Sequence, residues 1–484
     1  MSSLERNQRN LEAWVNYYRN QNSDFDFKKR QEYRLTYEQV QQRAVMGFND
    51  FPLTLFWKSD EDFAKYLGFK GQANSHRVLN SLVIDLLRAA QGGQSVYYSR
   101  NGNSYSTHYT GVMGRSTVVG ALEFLVEQGL ALNFIVPKGT NNEISSFIYA
   151  TPLLIEKFLH VVDGGLYVRD KESRIVTFKQ RKPEKYLKVP ESNFFIDAEK
   201  ELVQHNAIVA AVEIDITGNV LRRVNSIVTI INHKNEEQTI DLNRRFLSRR
   251  FNKPEPFSKY EAVGGRYYGA FWQNMSEADR SRITINGEPV GKELDYSCVS
   301  LQIAYACVGQ RLLPKGSYSK EVGGYNVDIS GISIGKTQFL LTPEKTRKIV
   351  KKATQIMMNT TSVGGASKAS GKELQKLLPE VFSSHTKYEV SKYAEQVIHR
   401  ILKHHSAIAK FFFSDFGVES QFIDSEIMTE FHKNCREQDI PILSIHDSIL
   451  YPESKKPIVE PIFNEALETR LEMLISKSRL QTAA

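Results

Sequence analysis

Residues 291–305 read GKELDYSCVSLQIAY, in which one carboxylate, Asp295, follows an apolar step and precedes a run of helical character. A second stretch, DIPILSIHDSILYPES at 439–454, sets His446, Asp447 and Ser448 between two apolar runs, as in a hairpin of buried strands that turns at the aspartate. A carboxylate at the end of a buried strand costs desolvation free energy unless a positive charge lies against it. Both stretches therefore predict a charged site, and a metal ion would supply the missing charge.

Two carboxylates carried on rigid strands suit divalent cations. Once folding brings Asp295 and Asp447 together, they can bridge two Mg²⁺ ions, or Mn²⁺ in their place, about 3.5–4 Å apart. One ion would activate a 3′-hydroxyl and the other would stabilise a pyrophosphate leaving group. Cations for a triphosphate are present in TPEKTRKIVKKATQIMMNTTSVGG at 342–365, where Arg347 and Lys351 share one face of a predicted helix. Taken by itself, that helix is more typical of an exposed amphipathic surface than of a phosphate-binding site.

Three segments, in order along the chain, resemble motifs A, B and C of the family A DNA polymerases and of the phage-type single-subunit RNA polymerases. They are LDYSCVSLQIA at 294–304, RKIVKKATQIMMN at 347–359 and IHDS at 445–448. The segment 264–297 also resembles the one that leads into motif A. The resemblance spans residues 245–465 and is strongest to compact, exonuclease-less polymerase-like proteins of phages and mobile elements. It implies an α+β fold with the small thumb, palm and fingers of a right-hand polymerase.

The resemblance also implies roles for individual residues. Asp295 and Asp447 would be the catalytic residues and metal ligands, with the backbone carbonyl of Tyr296 as a third ligand. Arg347 and Lys351 would hold the triphosphate of the incoming nucleotide. The other implied positions are Ser300, Gln355, Asn359 and Arg266 at the nucleotide, His446 at the primer terminus, and Gln273 in the template cleft.

Three positions depart from the polymerase pattern. Ser300 stands five residues after Asp295, where DNA-polymerising members have a glutamate that excludes a 2′-hydroxyl. A small residue there predicts tolerance of ribonucleotides. Asn359 replaces the tyrosine twelve residues after Arg347, and Gln355 replaces the mid-helix aromatic of DNA polymerases, so we expect unusual handling of the template and sugar.

The N-terminal half carries a different pattern. SHRVLNSLVIDLLRAA at 75–90 and GRSTVVGALEFLVEQGL at 114–130 predict two amphipathic helices. In the second helix we expect Ser116 or Thr117 as the N-cap, a stripe of Val118, Leu122 and Leu125, and an end at Gly129. Strand-like ALNFIVPKG at 131–139 and ISSFIYATP at 144–152 follow. This order resembles a winged helix that binds DNA; a small packing domain without nucleic-acid contacts is the alternative.

These patterns predict four regions. Residues 1–50 form a helical lead-in, 51–165 a winged-helix-like domain, and the charge-dense segment 166–195 a linker. Residues 196–484 form the polymerase domain, with the thumb at 196–250 and palm and fingers at 251–484, and we expect no proofreading domain before it. Within the thumb we expect helices at 196–212 and 219–251, the second placing Arg249 and Arg250 toward the primer–template backbone, with a solvated basic face as the alternative.

Composition is compatible with this function. The 484 residues carry a net charge of +8 and a pI near 9.0, which permits a polyanionic partner. Three widely spaced cysteines and the lack of a signal peptide or membrane span predict a cytoplasmic protein.

We therefore expect a template-dependent nucleotidyltransferase, a DNA polymerase or primase. It would use single-stranded or primed DNA with dNTPs or NTPs, with an accessory single-strand-binding or replication protein as a further partner and no membrane. The alternatives are an RNA polymerase and a DNA-binding replication initiator or regulator with a non-catalytic palm.

Overall fold

The chain combines α-helices with several small, mainly antiparallel sheets, as expected for the α+β class. The computed structural model describes residues 12, 32–36, 38–40, 50–55, 57–100, 105, 114–137, 145–169, 174–256, 258–314, 324–334, 337–339 and 341–483. Most of the predicted lead-in at 1–50 lies outside these residues. Over the described part of the chain, no helix has the length and apolar character needed to cross a membrane.

Contacts divide the chain into two compact units. The first contains Met1–Lys200, Glu213–Ser248 and Gly269–Gly287. The second contains Glu201–Val212, Arg249–Tyr268 and Glu288–Ala484, and it carries both aspartates of the predicted site. The domain limits drawn from the sequence stay predictions.

In the first unit, two predicted helices are confirmed, at Ala73–Gln91 and Arg115–Glu127. The stripe of Val118, Leu122 and Leu125 is buried. The predicted cap is wrong: Gly114 is the N-cap, and no side chain caps the helix. The helix ends at Glu127 with Gln128 as its C-cap, and the predicted terminating residue Gly129 follows with a φ of +73° that favours glycine.

The two predicted strands that follow are confirmed at Ala131–Ile135 and Ser146–Ala150, and they pair antiparallel. They form the middle of a five-stranded sheet whose other strands are Glu32–Arg34, Phe51–Pro52 and Val96–Tyr98. The helices Phe63–Tyr66 and Pro152–Asp163 and the strand Trp57–Ser59 complete this region. The described residues of the predicted linker include the strands Tyr167–Arg169, Val176–Gln180 and Lys185–Leu187.

The expected helix at 219–251 is wrong. This segment forms an antiparallel meander of Val220–Val224, Ile227–Ile231 and Glu237–Asp241. The β-branched residues favour strands, and Asn225 and Asn235 adopt the positive φ that tight hairpin turns require. The unit also contains the paired strands Ile214–Ile216 and Ile283–Ile285, the short helix Glu277–Arg280 and the 3₁₀ turn Phe271–Asn274.

The predicted helix at 196–212 is confirmed at Asn193–Ala211. From Glu201 onward this helix belongs to the second unit, together with residues 249–268 and 288–484. The strands of the second unit, the first of which begins one residue before its boundary, are Ser248–Asn252, Val263–Tyr268, Glu288–Pro289, Leu294–Asp295, Ser333–Ile334, Thr337–Gln338, Leu443–Ile445 and Ser448–Leu450. Its helices are Val299–Ala306, Pro343–Met358, Val363–Leu377, Pro379–Phe382, Lys387–His404, Phe416–Arg436 and Lys456–Ala483, with 3₁₀ turns at Ser406–Phe411 and Glu453–Lys455. We call Pro343–Met358 the basic helix and Phe416–Arg436 the central helix.

Candidate functional site

The predicted hairpin is confirmed. Leu443–Ile445 pairs antiparallel with Ser448–Leu450, and His446 and Asp447 form the two-residue loop between them. His446 adopts a φ of +56°, and its ring packs edge-on against Tyr268 with centroids 5.0 Å apart. Six apolar or small residues of the two strands are buried, so Asp447 stands at the edge of a rigid support.

Asp295 lies on the strand next to this hairpin. Leu294–Asp295 pairs antiparallel with Ser448–Leu450, and Asp295 is opposite Ser448, the residue after Asp447. Directly opposed residues of an antiparallel pair are about 4.5–5.5 Å apart. The fold therefore brings the two predicted carboxylates to neighbouring positions, both half-buried.

The residues after Asp295 turn the chain into a helix, as the sequence predicts. Cys298 has a φ of +46°, and the helix Val299–Ala306 begins directly after it, with Ser300 in its first turn. The Tyr296 ring is buried and stacks on Phe463 at 3.8 Å, and its hydroxyl donates to the Phe463 carbonyl at 2.6 Å. The Tyr296 side chain thus has a packing role, and the ligand role of its backbone carbonyl stays a prediction.

A third carboxylate, Asp424 of the central helix, belongs to the same site and is missing from the sequence prediction. Both Nε and Nη2 of Arg266 donate to Asp424 Oδ2, at 3.2 and 3.0 Å, and Arg266 Nη2 lies 3.8 Å from Asp447 Oδ2. Burial raises the pKa of Asp424, and repulsion from Asp447 and Asp295 adds to the increase. Burial disfavours the charged form of Arg266, but Asp424 and Asp447 outweigh it and raise the pKa of the guanidinium.

These groups fit a divalent cation. Two carboxylates, those of Asp424 and Asp447, lie against the Arg266 guanidinium, and Asp424 Oδ1 is buried with no hydrogen-bond partner among the described residues. Within the described ranges, no three His, Cys, Asp or Glu side chains converge closely enough to hold a metal ion by themselves. The oxygen ligands of Asp295 and Asp447 suit Mg²⁺, which binds through one or two carboxylates and keeps water or substrate oxygens in its remaining positions.

The basic helix presents two kinds of cation. Lys345, Lys348 and Lys352 form ion pairs with Glu380, Glu344 and Glu373. Arg347 and Lys351 have no such acidic partner among the described residues.

The charges of Arg347 and Lys351 affect the pKa of a residue that follows Asp295. Burial raises the pKa of the Cys298 thiol, and the positive charges of Arg347 and Lys351 oppose that increase. The face that carries the two cations is thus near the residues that follow Asp295.

Tyr325 connects the basic helix to the acidic residues. Its ring lies under Arg347, with the guanidinium carbon 5.5 Å from the ring centroid. Burial raises the pKa of Tyr325, Arg347 opposes the increase, and Asp447 and Asp295 add to it. The sequence prediction did not include this residue, because nothing in GGYNVDIS distinguishes it from a core tyrosine.

The other predicted nucleotide positions continue the same helical face. Gln355 and Asn359 are exposed at four-residue steps after Lys351, and Asn359 is the C-cap residue. The Asn359 Nδ2 donates to the Gln355 carbonyl at 2.7 Å. The face 347, 351, 355 and 359 is therefore a continuous polar stripe.

The structure separates the predicted primer and template residues. Arg249 lies on a strand and not on the expected helix, is 1% exposed, and donates to the Gly265 carbonyl, Ser425 and Glu426. Its guanidinium is enclosed, so a structural role replaces the predicted backbone contact. Arg250 packs over the Tyr268 ring at 4.7 Å, beside His446. Gln273 belongs to the other unit and accepts from the Gly269 N–H, so its role stays a prediction.

Comparison with models of known protein families gives no match, and no curated protein sequence matches this chain significantly. The resemblance to polymerases therefore stays a prediction from the three sequence motifs.

Proposed function

We propose that the chain is a template-dependent nucleotidyltransferase, a DNA polymerase or primase of a phage or mobile element. The observation that carries the proposal is the pairing of Asp295 with Ser448, because Ser448 directly follows Asp447 and the two carboxylates from distant motifs are therefore close neighbours. The unpaired cations of the basic helix supply the second half of a phosphoryl-transfer site, the charge for a triphosphate.

In this proposal the chain's residues mainly position and neutralise. Asp295 and Asp447 would hold Mg²⁺, which would lower the pKa of a 3′-hydroxyl and neutralise the departing pyrophosphate. Arg347 and Lys351 bind the β- and γ-phosphates, which aligns the α-phosphorus with the attacking oxygen. Tyr325 fixes the Arg347 guanidinium against its ring, and His446 and Arg250 flank the primer terminus.

Ribonucleotide use and primase activity follow from the small residue at 300. Ser300 leaves space for a 2′-hydroxyl, and a primase must hold two nucleotides without a primer. The winged-helix-like region would present the DNA. The polymerase domain would have the right-hand arrangement of thumb, palm and fingers. Primer-dependent synthesis is the closest alternative within this class.

The test is incorporation of labelled dNTPs and, separately, NTPs on single-stranded DNA, with and without a primer, in Mg²⁺. We expect product from the wild type and at least about a thousandfold less from Asp295→Asn and Asp447→Asn, since each removes a ligand of the reacting ions. Asp439→Asn is the matched control, because this exposed residue has a φ of +52° that asparagine tolerates. Equal product from Asp447→Asn and the control would refute the proposal.

A replication initiator with a non-catalytic palm is separated by the same variant. DNA binding should survive Asp447→Asn under both functions. If replication of the element in cells also survives, the palm is a scaffold; if it is lost, catalysis is the function of the site.

A further inference from the structure

Arg266 lies between two carboxylates but is committed to one of them. Two of its nitrogens donate to Asp424 at 3.0 and 3.2 Å, while its nearest approach to Asp447, 3.8 Å, is too long for a hydrogen bond. Asp424 is 1% exposed and Asp447 is one-third exposed. The buried Asp424 carboxylate therefore binds the Arg266 guanidinium, and the more accessible Asp447 carboxylate makes no hydrogen bond to it.

The fold fixes this choice by clamping the central helix to the strand that carries Arg266. Ser425 Oγ donates to the Gly264 carbonyl at 3.1 Å, and Tyr267 and Thr429 hydroxyls are 2.7 Å apart. Arg249 adds a bridge, since it donates to the Gly265 carbonyl on the strand and to Glu426 on the helix. With contacts on both sides of residue 266, the Asp424 carboxylate and the Arg266 guanidinium keep their register.

We infer that Asp424 is a positioning residue: it draws the Arg266 guanidinium onto the central helix and so keeps that charge from pairing with Asp447. Asp447 then keeps its carboxylate for a divalent cation. The inference rests on the proposed function, because it takes Asp447 as a metal ligand. With an amide at 424, Arg266 loses its closer ionic partner, and a side-chain rotation would bring the guanidinium within hydrogen-bond distance of Asp447.

The experiment measures Mn²⁺ binding to the full chain by electron paramagnetic resonance, without nucleotide or nucleic acid. We expect Asp424→Asn to weaken Mn²⁺ binding about tenfold, the scale seen when the group behind a metal ligand is lost. Glu430→Gln is the matched control, because it removes an exposed carboxylate six residues further along the same helix. We expect this control to bind Mn²⁺ as the wild type does.

The double variant Asp424→Asn/Arg266→Gln distinguishes positioning from direct ligation. If Asp424 acts through Arg266, removing the arginine as well restores binding to within about threefold of the wild type. A double variant as weak as Asp424→Asn would overturn the inference, since Asp424 would then be a ligand itself. Unchanged binding in Asp424→Asn would also overturn it.

Two further outcomes keep the inference separate from the proposed function. If Asp424→Asn does not fold, Arg266→Gln alone is measured, and binding weaker than in the wild type overturns the inference. A wild type that incorporates nucleotides while Asp424→Asn binds Mn²⁺ normally refutes only the positioning role. A wild type that binds no Mn²⁺ refutes the two-metal function and the inference together.

Discussion

Arg347 and Lys351 differ from the other cations of the basic helix in lacking a carboxylate partner among the residues that the structure describes. An unpaired cation near half-buried aspartates suits a ligand that brings its own negative charge. We expect Arg347→Ala to lower kcat/KM for the nucleotide about 10- to 100-fold, because a hydrogen bond to a charged group contributes about 1.5–3 kcal/mol. Steady-state incorporation at varied nucleotide concentration measures this.

The control for Arg347→Ala is Lys348→Ala, the next residue of the helix. Lys348 pairs with Glu344 at 2.6 Å in an exposed i, i+4 pair, which contributes little to stability. We expect its kcat/KM to stay within about twofold of the wild type, because its charge is already matched by a neighbour. An equal loss in both variants would mean that the helix contributes only a general positive field.

At the scale of elements, the close packing of the strand Val263–Tyr268 on the central helix positions Arg266. Gly265 has a φ of +82°, and a Cβ there would lie 2.6 Å from the Phe251 ring and 2.8 Å from Ser425 Oγ. We expect Gly265→Ala to lower the free energy of unfolding of this unit by about 2 kcal/mol, from overpacking and backbone strain. Urea unfolding followed by amide exchange in the central helix measures it.

Gly364→Ala is the corresponding control in the same unit. Gly364 lies near the start of the helix Val363–Leu377, and its added Cβ would meet nothing within 4 Å. We expect it to be neutral or stabilising by up to about 1 kcal/mol, because alanine is the better helix former. If Gly265→Ala proved as stable as this control, the strand and the central helix would not be packed closely at residue 265.

The elements that the sequence predicts well are those with a local signal. The hairpin around Asp447 has two apolar runs and a two-residue loop, and the basic helix has a four-residue period, so both follow from neighbouring residues alone. The segment 219–251 was misjudged because its arginines recur at helical spacing, whereas its β-branched residues and turn asparagines fix the meander. The sequence does not predict Asp424 because its partner Arg266 is 158 residues away. A pattern of neighbouring residues cannot show a contact between residues so far apart in the chain.

At the scale of the whole molecule, part of the positive charge is buried in ion pairs, and part lies on exposed side chains. In the first unit, Arg88 forms a buried ion pair with Asp241, and its guanidinium lies 3.9 Å from the Trp57 ring centroid. In the second unit, Arg249 pairs with Glu426, and Arg436 with Glu201. The net charge of +8 is therefore not a measure of the positive charge that a nucleic acid can reach, because several arginines are enclosed in the fold and paired with carboxylates.

Two buried histidines make the stability of the second unit depend on pH. His205 and His432 stack with ring centroids 4.4 Å apart, and none of the nitrogens His205 Nε2, His432 Nδ1 and His432 Nε2 has a hydrogen-bond partner among the described residues. Burial lowers the pKa of His205 to about 4, with Arg436 adding to the effect, and burial also lowers the pKa of His432. Both rings are thus neutral in the folded protein at pH 7.

A folded-state pKa below the unfolded value of about 6.5 means that the unfolded chain binds the proton first. The contribution of the neutral histidines to the free energy of unfolding is therefore fully present above about pH 6.5 and is lost as the pH falls toward 4. For His205 the loss is about 3 kcal/mol, at about 1.4 kcal/mol per pKa unit. Urea unfolding of the central helix between pH 7.5 and 4 should show this loss. His205→Phe keeps an aromatic ring against His432 and should flatten the curve by the share of one proton; an unchanged slope would mean that His205 titrates normally in the folded state.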